Sequence, residues 1–375
     1  MRVMVTIMIK RLTALFLAAL MLFAFTGCGI SSIRALSGTN VFMFKNTGND
    51  FGNLMYDGFY EYMSDQGELT AYKCPAEPLV SEQVEMLDTL IIQKVKSITI
   101  SACGDTGYAE VFKRAKAAGI NIISVDNAAS PDYRLTHIDM CDPQAIGSAL
   151  VQAATLIAMK IDYPTDGDMR TAVENALSVY TGDTIKFGVL SSAVDTPVQN
   201  GWIDCMRIEL SDPIYAGKVS PDLDVKYGND EPTEATNQAN AFVAEKKVDV
   251  IVSPTTIGMA AAGQVLKASG SEIKLTGLGL PHEMKGFMPA VDTDQAFDFV
   301  CPYMMLWDVR KLGAVAAAAT LAAAKGEYDG TVGSSFTFDG TVYTTIEADD
   351  GGTRIIALDP YIFHKGNMAD WVDKL

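Results

Sequence analysis

The chain has 375 residues, enough for two domains of ordinary size, and 49% of them are hydrophobic, so a sizeable core is available. Its net charge of −17 at pH 7 repels nucleic acid phosphates and anionic lipid headgroups, so neither is an expected partner. The sequence contains no GxSxG, HExxH or phosphate-binding GxxxxGKS/T motif, and we find no catalytic constellation in it.

The N-terminus has the features of an export signal. Three basic residues precede an apolar run over 12–25, which at 14 residues is shorter than the span of about 20 that a bilayer requires. The run leads into Gly27 and Cys28, which resemble a bacterial lipobox. We therefore predict a signal peptide over 1–27 and a tether over 28–38, lipidated at Cys28. An uncleaved anchor and an ordinary cleaved signal are the alternatives, and all three place the rest of the chain outside the cytoplasm.

Short apolar strands then alternate with helices whose apolar residues recur every three or four positions. The predicted strands of this first series are 41–44, 69–74, 97–102 and 121–125, and the predicted helices are 54–63, 79–93 and 108–118. Alternation at this spacing is typical of a parallel, doubly wound α/β sheet with right-handed crossovers.

A second series of similar order begins after 136–139. Its predicted helices are 143–161, 199–210, 233–246 and 258–269, its predicted strands are 186–190, 225–227, 248–252 and 274–278, and an irregular insertion occupies 162–183. One more strand is expected at 297–300, followed by a helix over 307–325 and a tail from 330 with strand-like segments.

These two series predict two doubly wound, parallel-sheet domains joined by a hinge that the chain crosses more than once. We assign 39–139 plus 303–328 to an N-terminal domain and 140–302 plus 329–375 to a C-terminal domain. Ligands commonly bind in the cleft between such domains, and hinge closure around the ligand is the expected motion.

Several polar residues follow predicted strands directly. Lys45 and Asn49 lie in the polar loop after the first strand, and Asp126 and Asn127 follow the strand that ends at Val125. In open parallel sheets, ligands bind beyond the carboxyl ends of the strands, so these side chains are candidates for a binding site.

Six segments at strand ends and helix starts, taken in order, resemble those of a known family. They are 45–49 (KNTGN), 124–127 (SVDN), 199–202 (QNGW), 253–256 (SPTT), 277–281 (GLGLP) and 306–309 (LWDV). The chain is similar over its mature length to exported sugar-binding proteins of ABC importers, which have the ribose-binding type of fold. Within that family it resembles the rhamnose- and autoinducer-2-binding group.

The resemblance implies ligand contacts at Lys45 and Asp126. In the autoinducer-2 receptors an Asp-Gln pair follows, which here reads Val198-Gln199, and a proline and an alanine match Pro254 and Thr256. The departures at Val198 and Thr256 favour a neutral deoxysugar or a related small polyol over autoinducer-2.

Six of the candidates also have a purely structural interpretation. Lys45 could be a solvated lysine at a strand end, and Asp126 and Asn127 could form an Asx turn. Gln199 and Asn200 begin a helix and could simply belong to its N-terminus. The same holds for Asp308, which we interpret first as the N-terminal acid of the late helix and second as a ligand contact. We place Trp202 in the core, although an indole face would also suit a sugar ring.

The sequence indicates neither a cofactor nor a metal. It has only three histidines, and we find no carboxylate or cysteine at ligand spacing from His282. Apart from Cys28, five widely spaced cysteines could be free thiols or form one or two disulfides, and the sequence leaves both open. The five are Cys74, Cys103, Cys141, Cys205 and Cys301.

The resemblance implies a lipid-anchored, extracytoplasmic solute-binding protein that captures a small sugar and delivers it to an ABC permease. We expect a monomer that touches the membrane through its lipid anchor only, and no enzymatic activity. A sensory receptor of the same fold, which presents autoinducer-2 or a sugar to a membrane signalling partner, is the alternative. A repressor of this fold is excluded, because an export signal occupies the place of the DNA-binding helices.

Overall fold

The structure is a computed structural model, and it describes residues 36–164, 168–289 and 295–375. The predicted signal peptide, Cys28 and most of the tether lie outside these residues. The helices are α1 (Asp50–Asp65), α2 (Val80–Gln93), α3 (Ala109–Ala117), α4 (Pro143–Ala158), α5 (Met169–Ser178), α6 (Pro197–Leu210), α7 (Pro232–Glu245), α8 (Thr256–Ser269), α9 (Pro281–Met284) and α10 (Val309–Ala324).

The strands follow the same alternating order until the last quarter of the chain. They are β1 (Asn40–Met43), β2 (Thr70–Lys73), β3 (Ser97–Ile100), β4 (Asn121–Val125), β5 (Thr136–Asp139), β6 (Phe187–Ser191), β7 (Asp224–Tyr227), β8 (Val250–Ser253), β9 (Lys274–Gly277), β10 (Met304–Leu306), β11 (Ser335–Phe338), β12 (Thr341–Thr344), β13 (Ile346–Glu347), β14 (Thr353–Ile356) and β15 (Tyr361–Phe363).

A seven-stranded sheet in the order β13-β14-β5-β4-β3-β1-β2 forms what we call the first lobe. Its strands pair in parallel except β13, which runs antiparallel to β14 at the edge. A four-stranded parallel sheet in the order β7-β6-β8-β9 forms the second lobe. The predicted fold class, two α/β units with parallel sheets, is confirmed.

The central strands of the first sheet are buried on both faces, which explains why β1 has no polar alternation. Successive side chains of a strand point to opposite faces. Val41 and Met43 pack into the cluster under α2 and α3, whereas Phe42 packs on the other face, with its ring centroid 5.2 Å from that of Phe59 in α1. A parallel sheet covered by helices on both sides requires such continuous apolar strands.

The late helix α10 packs against α1 of the first lobe. The two helices approach closely because each has a glycine at the contact. A Cβ at Gly58 would overlap the carbonyl oxygen of Arg310, and one at Gly313 would overlap that of Met55. Small side chains at a helix crossing allow backbones to come this near.

The tail does not follow the predicted assignment of 329–375 to the second lobe. Strand β14 pairs in parallel with β5, which buries Ile355 against Ile138 and extends the first sheet. Arg354 strengthens the pairing, since its Nη1 donates to Oδ2 of Asp139 over 3.2 Å. The end of the tail returns to the second lobe through β15, which pairs with β10, and through Leu375, whose carbonyl accepts from the backbone N–H of His282. A bridge between Leu278 and Met305 joins β10 to the end of β9.

The strand predicted at 297–300 is also absent. A 3₁₀ turn spans Ala296–Asp298 instead, and the strand lies later, at β10. Lys274 accounts for the difference, because its Nζ bonds the carbonyl oxygens of Phe297 and Phe299 at 2.7 and 3.0 Å. A lysine side chain thereby occupies acceptors that a strand ladder would use.

The five cysteines within the described residues are free thiols, so the structure favours that alternative over disulfides. Among the helices that the structure describes, none is both long enough and apolar enough to cross a membrane.

Candidate functional site

A cleft lies between the two lobes, at the carboxyl ends of β1, β4 and β8, where the topology of parallel sheets places ligand sites. Its empty volume is about 410 Å³, which includes the part that is open to solvent. It is lined by Phe44, Lys45, Asn49, Phe51, Asp126, Gln199, Trp202, Asp230, Pro254, Thr255, Thr256, Leu278, Leu306 and Trp307.

An ion pair crosses this cleft. Lys45 follows β1 in the first lobe, Asp230 follows β7 in the second, and Nζ of Lys45 lies 3.4 Å from Oδ2 of Asp230. Thr255 holds the other carboxylate oxygen through a hydroxyl that donates to Oδ1 over 3.2 Å. The pair therefore connects the two lobes directly.

Each partner stabilises the charge of the other. Burial by itself would lower the pKa of Lys45, but the carboxylates of Asp230 and Asp126 outweigh it and raise the pKa above its usual value. Burial would raise the pKa of Asp230, but Lys45 and hydrogen bonds from Ser192 and Thr255 lower it below its usual value. Both groups are charged near neutral pH.

Asp126 is held in position by the sheet beneath it. It is 6% exposed and has φ of +63°, a left-handed conformation that Asp tolerates better than most residues. The hydroxyl of Ser101, at the end of β3, donates to its Oδ2 over 2.7 Å. One carboxylate oxygen is thus fixed by the protein, and Oδ1 remains to accept from a ligand.

Two buried polar atoms of the cleft have no hydrogen-bond partner among the described residues. They are Oε1 of Gln199, at the start of α6, and Nε1 of Trp307, just before α10. Gln199 is 6% exposed and Trp307 is 2% exposed. Buried polar groups are nearly always paired, so an acceptor and a donor left free at one cleft point to a bound molecule that supplies their partners.

Aromatic rings form the apolar wall of the cleft. The centroid of the Trp307 ring lies 6.0 Å from that of Trp202 and 6.1 Å from that of Phe51, both in edge-on arrangements. Trp202 is 3% exposed, so it belongs to the core, as expected, and also lines the cleft. Flat apolar faces of this kind suit the C–H faces of a small cyclic molecule.

The formal charges of the cleft add to one negative charge, since Lys45 faces Asp126 and Asp230. An anionic ligand would be repelled by this balance and would disrupt the ion pair. A neutral molecule with several hydroxyl groups fits the set of donors and acceptors.

Comparison with known families decides what kind of protein this is. Residues 40–328 match the model of the periplasmic binding protein domain. The chain belongs to the periplasmic binding protein family. That family consists of extracytoplasmic solute-binding proteins.

Several solved structures resemble this periplasmic binding protein. An ABC transporter solute-binding protein from Clostridium phytofermentas with bound L-rhamnose is 29% identical, with a TM-score of 0.76 over 90% of this chain and 99% of that one. A sugar ABC transporter structure from Actinomyces odontolyticus is 25% identical, with a TM-score of 0.64 over 90% and 98%. LsrB from Clostridium saccharobutylicum in complex with AI-2 shares the fold, at 20% identity and a TM-score of 0.73 over 89% and 99%.

The structure brings six of the nine predicted binding residues to the cleft of this periplasmic binding protein: Lys45, Asn49, Asp126, Gln199, Pro254 and Thr256. Asn49 has a structural role as well, because its Oδ1 accepts from the backbone N–H of Gly52 over 3.3 Å and caps α1.

The other three predicted residues do not line it. Asn127 lines an adjoining cavity that shares Lys45 and Asp230 with the cleft. The amide of Asn200 donates to the carbonyl of Val194 over 2.8 Å, which ties a loop to α6. Asp308 caps α10, because its Oδ1 accepts from the backbone N–H of Lys311 over 2.9 Å. Asp308 is therefore the N-terminal acid of the late helix, which was the first of its two interpretations.

Asp230 and Trp307 line the cleft but were not among the predicted binding residues, and Asp230 shows why. It lies in the turn between β7 and α7, and its φ is +53°. Asn229 and Asp230 before Pro232 are typical of a turn, so the local sequence predicts only a loop. One property of the sequence could have identified it. Asp230 follows a predicted strand of the second series, just as Asp126 follows a predicted strand of the first series, and that position made Asp126 a candidate.

Proposed function

We propose that this periplasmic binding protein is a lipid-anchored solute-binding protein that captures a small neutral sugar, with a rhamnose-like deoxysugar favoured, for import by an ABC permease. The observation that carries the proposal is the pair of unpartnered atoms at the cleft, Oε1 of Gln199 and Nε1 of Trp307. A sugar hydroxyl both donates and accepts, so one ligand can satisfy both atoms.

The remaining polar groups suit the same ligand. Asp126 offers a carboxylate oxygen to a hydroxyl, and Lys45 offers an ammonium to ring or hydroxyl oxygens. The aromatic wall around Trp202 and Trp307 would cover the apolar face of the ring. Hydrogen bonds at the edge and apolar contact across the face are what a pyranose requires.

Two features favour a deoxysugar. Val198, which stands where the autoinducer-2 receptors have an aspartate, packs partly buried against the core and offers no acceptor. The solute-binding protein with bound L-rhamnose is similar to this chain over 90% of its length. L-Rhamnose has a methyl group where a hexose has a hydroxymethyl, so it needs one polar partner fewer.

Lobe closure is the step that would make capture effective. The pair of Lys45 and Asp230 joins the lobes beside the ligand space, so opening the cleft must separate two buried charges. A ligand that adds contacts to both lobes shifts the equilibrium toward the closed form. The permease would then recognise the closed lobes, and we expect the protein to act as a monomer.

Anchoring at the membrane would come from Cys28. This residue lies outside the described residues, and its lipidation rests on the basic and apolar segments before it. A single acyl chain binds membranes only weakly, so stable anchoring needs more than one chain at this cysteine.

A thermal-shift screen of the purified mature chain tests the proposal. L-Rhamnose, other deoxyhexoses, hexoses, pentoses, autoinducer-2, nucleosides and amino acids are compared, because a ligand that binds only the folded state raises the melting temperature by mass action. We expect L-rhamnose or another deoxyhexose to give the largest rise. A rise with autoinducer-2 alone would overturn the choice of ligand, and a rise only with a nucleoside or an amino acid would overturn sugar binding.

A further inference from the structure

We propose that Asp50, His282 and Glu283 form a divalent-cation site, suited to Zn²⁺, that bridges the two lobes at the edge of the cleft. One ligand atom from each residue lies within 4.8 Å of those of the other two. The three residues come from opposite sides of the cleft, which is why their spacing in the sequence does not reveal the cluster.

The chain places these residues beside the ligand cleft. Asp50 is the first residue of α1 in the first lobe and follows Asn49, which lines the cleft. His282 and Glu283 lie in the short helix α9, which packs on α8 of the second lobe and begins shortly after Leu278, another residue of the lining. A cation held by all three would therefore bind both lobes at once.

The distance between the first two residues matches shared coordination. Nε2 of His282 lies 3.3 Å from Oδ2 of Asp50. Two ligands bound tetrahedrally to one Zn²⁺, each at about 2.0–2.1 Å, are themselves about 3.3–3.4 Å apart. An imidazole and carboxylates are ligands that Zn²⁺ accepts, and with three protein ligands a fourth position stays open to water.

Glu283 of this cluster lacks a partner of its own in the described part of the chain. Its Oε2 is buried and has no hydrogen-bond partner among the described residues. A cation at this point would pair the free oxygen and offset the repulsion between the two carboxylates.

A bridging cation would be linked to ligand binding. Both the cation and a sugar in the cleft would favour the closed lobes, and by thermodynamic linkage each would raise the affinity for the other by the same factor. The proposed function does not depend on this site, because the cleft contacts lie on other residues.

Binding is tested by equilibrium dialysis of the mature chain, without an affinity tag, against Zn²⁺ in the absence of any sugar. We expect one Zn²⁺ per wild-type chain and at least a tenfold weaker affinity for Asp50→Asn and for His282→Ala. Asp349→Asn is the matched control, since it removes a carboxylate that is 99% exposed and outside the cluster, and it should bind as the wild type does. Stoichiometric Zn²⁺ binding that both cluster variants retain, or no binding by the wild type, would overturn the proposal.

Two further measurements separate this site from the sugar site. Co²⁺ in place of Zn²⁺ should give the visible absorption of a low-coordinate ion in the wild type and not in His282→Ala, and an unchanged spectrum in that variant would contradict the proposal. L-Rhamnose binding should persist in His282→Ala when Zn²⁺ is absent. Because the dialysis contains no sugar, a wrong choice of sugar would leave its result unchanged.

Discussion

Nζ of Lys45 lies 3.4 Å from Oδ2 of Asp230, and this single contact joins the loop after β1 in the first lobe to the turn after β7 in the second. Both side chains are largely buried, at 12% and 21% exposure. A buried ion pair that spans two lobes makes their closure depend on the charge of both partners.

Asp230→Asn should therefore destabilise the protein in a pH-dependent way. Asn keeps the size of the side chain and tolerates the positive φ at this position. Because the pKa of Asp230 is lowered in the folded state, its stabilising contribution is present above its usual value of 3.8 and is lost as the pH falls through the lowered pKa. The raised pKa of Lys45 means that its own contribution persists up to its usual value of 10.5 and is lost only above that.

This pH dependence is measured by urea denaturation of the wild type and of Asp230→Asn between about pH 3 and pH 9. The difference in free energy of unfolding should be constant from about pH 5 to pH 9 and should shrink below about pH 4. Asp349→Asn, which alters an exposed carboxylate, serves as the control and should show little difference at any pH. Equal unfolding free energies for wild type and Asp230→Asn throughout would show that the ion pair does not stabilise the closed lobes.

Trp307→Phe should weaken ligand binding more than it weakens the fold. The substitution keeps an aromatic ring but removes Nε1, the buried donor that has no partner among the described residues. If a ligand hydroxyl accepts a hydrogen bond from Nε1, the binding free energy should become less favourable by about 1–3 kcal/mol. Trp371→Phe is the control, because Trp371 packs against Phe363, away from the cleft. Titrations followed by intrinsic fluorescence distinguish the two variants, and equal affinities would assign Trp307 a packing role only.

Ala substitutions at the contact of α1 and α10 should destabilise the first lobe. A Cβ at Gly58 or Gly313 would overlap a carbonyl oxygen of the other helix, and such overpacking costs about 1–3 kcal/mol. Gly201→Ala in α6 is the matched control, since no atom lies within 4 Å of its added Cβ and Ala is the better helix former. Thermal unfolding should show a lower melting temperature for the first two variants only. Unchanged melting temperatures would mean that the helices can separate at little cost.

The sequence predicts most of the architecture because the strands are continuous apolar runs. Val41–Phe44 and Asn121–Val125 could be placed within a residue or two, since burial on both faces leaves no other interpretation for them. The tail could not be assigned in this way. Whether Thr353–Ile356 joins the first sheet or the second depends on pairing with β5, more than 200 residues earlier, and on the contact of Arg354 with Asp139.

The site shows the same limit. Lys45 and Asp126 were predicted because they follow buried strands, which is a local property. Asp230 and Trp307 were not predicted as binding residues, because they line the cleft only when the two lobes meet. The cluster of Asp50 and His282 was missed for the same reason, as its members approach each other across the cleft.

Acylation of Cys28 is tested in cells that express the full chain. Radiolabelled palmitate should be incorporated into the wild type, because the basic and apolar segments before Cys28 direct export and lipidation. Cys28→Ala should carry no label, while Cys74→Ala, which removes a cysteine of the folded lobes, should be labelled as the wild type is. Equal labelling of wild type and Cys28→Ala would remove the lipid anchor from the account.

The most direct test of the account is isothermal titration of the mature wild-type chain and Asp126→Asn with L-rhamnose. Asn suits the positive φ at this position and can still accept from Ser101, so the variant should fold, but it lacks the charged acceptor for a sugar hydroxyl. We predict one binding site in the wild type and at least about tenfold weaker binding in the variant, which corresponds to about 1.4 kcal/mol. Equal affinity of the two proteins for L-rhamnose would contradict the account, because Asp126 would then be structural and the cleft would not bind the sugar as proposed.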